Sequence, residues 1–327
     1  MMLPRALAVV TALLLSAPLG RAAEVDPYLP EDSESVLNVN VRQILDSPIV
    51  KKNLLELAQE TLRDNDQVQD VLKDLGFDPF KDLDRIVIAA PGGTDKDRGL
   101  IILHGRFDVA KFKAKAKQVA KDDAEYLKIH KILGGKHLLY EVTVPDLDDP
   151  FFVALAGRDT LLVSPGKDYV VDALKKIGKQ EKPVLKDKKF QVLLEKLDTR
   201  QSLSLAAVLS PDITKALDKA PGDIKDMVEK IRAMGGGLTI SDEVKMELVV
   251  TTKIARDAKE LGDSAKAGLN LILAFAAAFT KDNDSPEVEF VVEIIKGLRI
   301  TNKAGAVVIK GRISSDLIED TLKKKSK

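Results

Sequence analysis

The sequence predicts an α+β fold made of two tandem related units, and three observations carry that reading. Runs of alternating or continuous β-type residues pass into helical spacing within a few residues, and this happens six times. Three of the six lie in each half. The order of hairpins between them is also the same in both halves, as a diverged tandem duplication would leave it.

In chain order the six transitions are VLNVNVRQIL (36–45), LIILHGRFDVAKFKA (100–114), LLVSPGKDYVVDAL (161–174), SLSLAAVLSPDITKAL (202–217), MELVVTTKIARDAKEL (246–261) and AVVIKGRISSDLIEDTL (306–322). The second and third of each half follow another strand across a turn: IVIAA before LIIL, FFVALA before LLVS, GGLTI before KMELVV, GLRIT before AVVIKG. The helices have apolar stripes, such as Val109, Phe112, Ala116 and Val119, with Lys113, Lys117 and Lys121 on another side. Strands joined by hairpins and followed by helices predict antiparallel or mixed sheets with helices packed on one side. The first unit spans 25–180 and the second 196–327, joined by a charged linker, 181–195, that contains Pro183 and leads into a short helix.

The chain opens with MMLPRALAVVTALLLSAPLGRAA, in which Arg5 precedes an apolar run from Ala6 to Leu15. Small residues then place Gly20 and Ala22 for cleavage after Ala22. This is the pattern of a secretory signal peptide over 1–22, too short to serve as a bilayer span of about 20 apolar residues. A periplasmic or extracellular location is therefore expected, with no stable membrane anchor after processing. The chain has no cysteine, so neither disulfide nor lipid-modified cysteine is available to it, and its length is sufficient to rely on burial instead.

Basic and acidic residues balance at 51 each, and loss of Arg5 and Arg21 brings the processed chain to a net charge of −2. Nothing in that balance attracts a polyanion, and no nucleic-acid partner is expected. With no Trp and only 4 Tyr, platforms for stacking bases or sugar rings are scarce.

The stretch APGGTDKDRGLIIL (90–103) has the glycines and cations of a phosphate loop, but it runs from strand to strand and lacks the G-K-[ST] step into a helix. A hairpin turn explains it, as it explains ISDEVK at the matching place in the second unit. His104, His130 and His137 lie in strand contexts without zinc-ligand spacing; the last two flank KILGGK and could face each other across a hairpin. Ser164 and Lys167 have S-x-x-K spacing, but Pro165 and Gly166 make it a strand-to-helix turn.

The acidic clusters 64–70, 145–150 and 281–287 lack calcium-loop spacing and read as polar loops or caps, and Asn283 formally opens a glycosylation sequon. Asn38 with Asn40, and Ser202 with Ser204, alternate with apolar neighbours and read as a solvated sheet face; they are the first positions to consider if scattered residues make an enzyme. No catalytic, cofactor-binding or metal residue is assigned.

LNLILAFAAAF (269–279) is apolar nearly all round, which predicts burial beneath the sheet or between the units. It is also the place for an apolar ligand or a dimer contact.

At YLPEDSESVLNVNVRQILDSPIVKK, LGFDPFKDLDRIVIAAPGG, RGLIILHGRFDVAKFKAKA and SPGKDYVVDALKK the chain resembles a family of uncharacterised exported proteins abundant in planctomycete-type bacteria. The resemblance covers most of the chain after the leader. It implies a bacterial source and an extracytoplasmic location, and it carries no site residue. The leading functional expectation is a non-enzymatic exported binding or structural protein. A carrier or sensor of lipid or another apolar ligand is the second, and an enzyme with scattered catalytic residues the third.

Overall fold

The computed structural model describes residues 25–92, 98–144, 147–177, 183–209, 222–279, 286–303 and 305–325. The leader over 1–22, the helical start after SLSLAAVL and Asn283 lie outside these residues.

Strand β1 (Ser33–Val39) passes into a run of helices, α1 (Val41–Asp46), α2 (Pro48–Asn53), α3 (Leu55–Arg63), α4 (Asp66–Leu75) and α5 (Pro79–Asp82). The hairpin β2 (Leu83–Pro91) and β3 (Leu100–Gly105) leads to α6 (Val109–Asp122). Two further hairpins follow, β4 (Leu127–Ile132) with β5 (His137–Val142) and β6 (Phe151–Leu155) with β7 (Thr160–Ser164), before α7 (Lys167–Leu174). Helix α8 (Lys188–Glu195) precedes β8 (Leu203–Val208), α9 (Gly222–Glu229), β9 (Ile231–Ile240) and β10 (Glu243–Thr252). The chain closes with α10 (Ala255–Phe279), α11 (Pro286–Gly297), β11 (Arg299–Lys303), β12 (Ala306–Ser314) and α12 (Ser315–Lys325).

The fold is α+β, and the strands form one antiparallel sheet in the order β11-β12-β10-β9-β8-β1-β2-β3-β7-β6-β5-β4. Outward from its middle the first half runs β1-β2-β3-β7-β6 and the second β8-β9-β10-β12-β11, the same sequence of roles, with β5 and β4 added to the first. The halves meet at the antiparallel pair β1 and β8, where Leu37 faces Leu205 and Asn38 faces Ser204. Each half thus covers the other's open edge.

Helices lie on both faces of the sheet, where the sequence pattern suggested one side. Val36, Val87, Ile102, Leu162 and Ala206 form one buried face together with Val170 and Leu174 of α7 and Phe190 and Leu194 of α8. Next-door strand residues point the opposite way: Leu139 belongs to that core, whereas Tyr140 packs with Ala116 of α6. Ala258 and Leu261 of α10 sit on the α6 side, against Val250 and Val307. The physical reason is in the strands, since runs such as LIIL and LLV are apolar on both faces and both need cover.

The segment expected as a linker contributes to the main core. Leu185, Phe190 and Leu194 are buried within it, and Lys186 N–H donates to the Glu31 carbonyl at 2.7 Å. That core runs through both halves, joining Val36 and Val87 to Ala206, Val208 and Ala233.

Candidate functional site

Single-residue reading did not assemble one polar cluster, around Asp26. Asp26, buried near the start of the described residues, accepts from Arg85 Nη2 at 2.8 Å and lies 2.6 Å from His104 Nε2 through the same oxygen. Its other oxygen accepts from the Tyr28 N–H at 3.1 Å. On the far side of the ring, His104 Nδ1 lies 3.4 Å from Thr160 Oγ1. Carboxylate, imidazole and hydroxyl are thus in the connectivity of a proton relay. Thr160, however, is 3% exposed, and a nucleophile needs an approach for its electrophile. What the cluster does is fasten residues 25–30 across the sheet, with Leu29 driven into the core.

Most polar residues of β1 and β8 and their flanks have partners, although Asn38 Oδ1 and Glu34 Oε2 are buried without one. Asn38 and Ser204 lie on the buried face and not on a solvated one, with Asn38 Nδ2 donating to Ser204 Oγ at 3.5 Å. A polar side chain is tolerated there because the cross-strand partner supplies a hydrogen bond. Asn40 and Ser202 hold α1 in place: Asn40 Oδ1 accepts from the Gln43 N–H, and Ser202 Oγ donates to Gln43 Oε1 while accepting from the Ile240 N–H.

Ser164 is fully buried, donates to the Gly99 carbonyl at 2.5 Å and accepts from the Gly166 N–H, while Lys167 opens α7. His130 does not face His137 across the hairpin, since it pairs in register with Leu139, and its Nε2 meets Glu141 Oε2 at 2.8 Å. GGTDKDRG joins two antiparallel strands, residues 93–97 being outside the described part. In the first acidic cluster, Asn65 Oδ1 caps α4 by accepting from the Val68 N–H. Among the described residues no group of three or more His, Asp or Glu is placed to hold a metal ion.

The 269–279 stretch is not deeply buried where it is described. The first turns of α10 carry the packing, through Ala258 and Leu261, whereas Leu271 is 58% and Ile272 47% exposed. The side chains of 275–279 lie outside the described part of this 25-residue helix. Among the described residues no helix is long and apolar enough to cross a membrane.

The best candidate for a binding site lies elsewhere, among the helices between β1 and β2. Helix α2 starts at Pro48 behind the capping hydroxyl of Ser47, and α4 ends at Gly76, whose φ of 62° is the left-handed stop that glycine adopts without strain. The next residue, Phe77, stacks on Phe107 at 5.3 Å and ties the end of α4 to the approach of α6. Helices α3 and α4 therefore form a hairpin anchored mainly at its ends. Along α3 the half-buried positions Leu55, Gln59 and Leu62 recur at helical spacing and turn inward. Leu57, Val68 and Val71 of the two helices face out, with exposures of 61%, 40% and 49%.

Beneath this hairpin is a cavity of about 540 Å³ with an apolar lining of Leu45, Leu55, Leu62, Leu72, Phe77 and Phe80. Arg42, Lys51, Arg63, Lys73 and Lys81 also line it, against the acids Asp46 and Asp78. Those two acids are already paired, with Lys51 at 3.0 Å and Lys81 at 2.8 Å. Arg42 is held by Asp84 and by the carbonyls of Phe80, Lys81 and Leu83. Among the described residues Arg63 and Lys73 have no ion-pair partner, so the cavity joins an apolar lining to more cations than acids. Sequence reading missed it. The available signal was LLELAQETL followed by VLKDL, two short helices with more leucine and valine than one buried face needs.

No family model and no curated protein matches the chain. Two crystal forms of TP0453, a treponemal protein, are similar to it at 12% sequence identity. Form I gives a TM-score of 0.46 over 92% of this chain and 98% of that one, and form IV a TM-score of 0.47 over 92% and 97%.

Proposed function

We propose that this is a non-enzymatic, exported binding protein whose ligand is an amphiphile with an apolar body and an anionic head, held beneath the α3–α4 hairpin. The observation that carries the reading is the cavity of about 540 Å³, within the range of small-molecule sites and lined by leucine and phenylalanine. Its roof suits entry, because no residue of α3 is fully buried and the hairpin can swing on its anchored ends. Arg63 and Lys73 give the head group a counter-charge. The leader-like residues 1–22 support a place outside the cytoplasm. A non-enzymatic role is favoured because the relay-like cluster is closed over Thr160.

The chain has no tryptophan, so Gln69→Trp places a single reporter in the cavity wall. Titration of that variant with oleate is expected to give a saturable fluorescence change, weaker with the uncharged dodecanol and lost when Leu62→Glu is added. No saturable response to either probe, or a response indifferent to Leu62→Glu, would dispose of the reading. A second reading, self-association through α10, is favoured by the exposure of Leu271 and Ile272. Sedimentation of the processed chain with and without Leu271→Lys separates the two.

A further inference from the structure

A second cavity, sharing no residue with the first, lies where the N-terminal end of α6 crosses the sheet. Further along the helix the packing is close, with Phe112 edge-on to Tyr140 at 5.2 Å. Toward Val109 the helix and sheet part around a space of about 590 Å³. Leu138, Tyr140 and Leu155 give it an apolar floor, while Lys113, Lys136 and Arg158 stand around it with His137.

Two features make this more than a solvated face. No carboxylate is among the lining residues. Of the neighbouring acids, Asp108 caps α6 by accepting from the Ala110 and Lys111 N–H groups and Asp159 accepts from the Thr160 hydroxyl. None of Lys113, Lys136 and Arg158 has an ion-pair partner among the described residues.

We infer that this cavity is a second binding site, for a small organic anion, a phosphate or carboxylate carried on an apolar or aromatic body. Arg158 supplies the planar fork that takes two oxygens of such a group, and the lysines supply point charge beside it. Gly157, at φ +103°, lets the turn between β6 and β7 present that arginine at the cavity mouth. Leu138 and Leu155 take the body. A bare anion would leave that floor wet, and a neutral molecule would leave the cations unpaired.

The test is calorimetric titration of the processed chain at low salt with phenyl phosphate, phenylacetate, inorganic phosphate and benzyl alcohol. At least one of the two aromatic anions is expected to bind saturably, at least about tenfold more tightly than inorganic phosphate or benzyl alcohol. The tighter of the pair identifies the head group. Arg158→Ala and Lys136→Ala, both at exposed positions that do not hold the fold, should each weaken that binding about tenfold. Arg63→Ala, at the hairpin cavity, should leave it unchanged, which separates this site from the one proposed above. No saturable binding of either aromatic anion, equal binding of inorganic phosphate, or binding insensitive to Arg158→Ala and Lys136→Ala would each overturn the inference.

Discussion

At Asp26 one carboxylate holds an arginine and an imidazole together and, through the backbone of Tyr28, residues 25–30. Asp26→Ala leaves Arg85 and His104 facing one another without a counter-charge, and should cost about 2–4 kcal/mol in urea unfolding. A cost under about 0.5 kcal/mol, within the range of an ordinary surface substitution, would show that the cluster is not a fastening. Glu141 and Asp32 are among the carboxylates whose pairing favours the charged form in the folded state. Hydrogen bonds from Lys128 and His130 hold Glu141 below its usual range. At Asp32 burial works upward, and the hydrogen bonds from Arg98 and Tyr169 outweigh it. A carboxyl lowered in the folded state contributes stability that is complete above its unfolded value, near pH 4, and is lost as the pH falls through the folded value. The midpoint for urea unfolding should therefore be level at neutral pH and drop below about pH 4, with a smaller drop in Glu141→Gln. Which residues are polar was plain in the sequence, but not where they meet. Asp26 and His104 lie 78 positions apart, and Asn38 turns to the core only because Ser204 comes to meet it from the other half.

At the level of elements, strand-to-helix transitions were the most legible feature, because a change of period from 2 to 3.6 needs no tertiary context. The transitions β1 to α1, β3 to α6, β7 to α7, β10 to α10 and β12 to α12 all follow it. Which face each helix covers was not legible, since strands apolar on both sides give no direction. The exposure of Leu271 and Ile272 on α10 was hidden for a similar reason: an all-round apolar sequence states a need for cover without saying whether cover is present. The α3–α4 hairpin illustrates what composition alone conveys. Its helices are amphipathic, yet what holds them is at their ends, in the Gly76 stop and the Phe77–Phe107 stack. Gly76→Ala forces a left-handed backbone on alanine and should cost about 1 kcal/mol. The new Cβ would meet only the far end of the Lys111 side chain, which can move aside. In thermal unfolding the variant should melt a few degrees lower, and an unchanged midpoint would mean that the hairpin is not pinned there.

Over the whole molecule, the two halves arrange their strands in the same order outward from β1 and β8. We read this as a tandem duplication joined edge to edge, the arrangement in which each half protects the other's open strand. Residues 25–195 expressed alone should then present β1 as a bare edge with Val36 and Leu194 uncovered, and should self-associate in light scattering. A stable monomer would argue against that dependence. One rigid sheet with a loosely held helical hairpin beside it also says where ligand-linked change belongs. Helices α7 and α8 are fixed in the core, whereas α3 and α4 expose leucine and valine on one side and line a cavity on the other. The most direct test of the binding role is hydrogen exchange of the processed chain with and without saturating oleate. The account predicts slowed exchange concentrated in residues 55–75, with the strands of the central sheet unchanged. No change in that segment, or protection confined to the exposed part of α10, would contradict it.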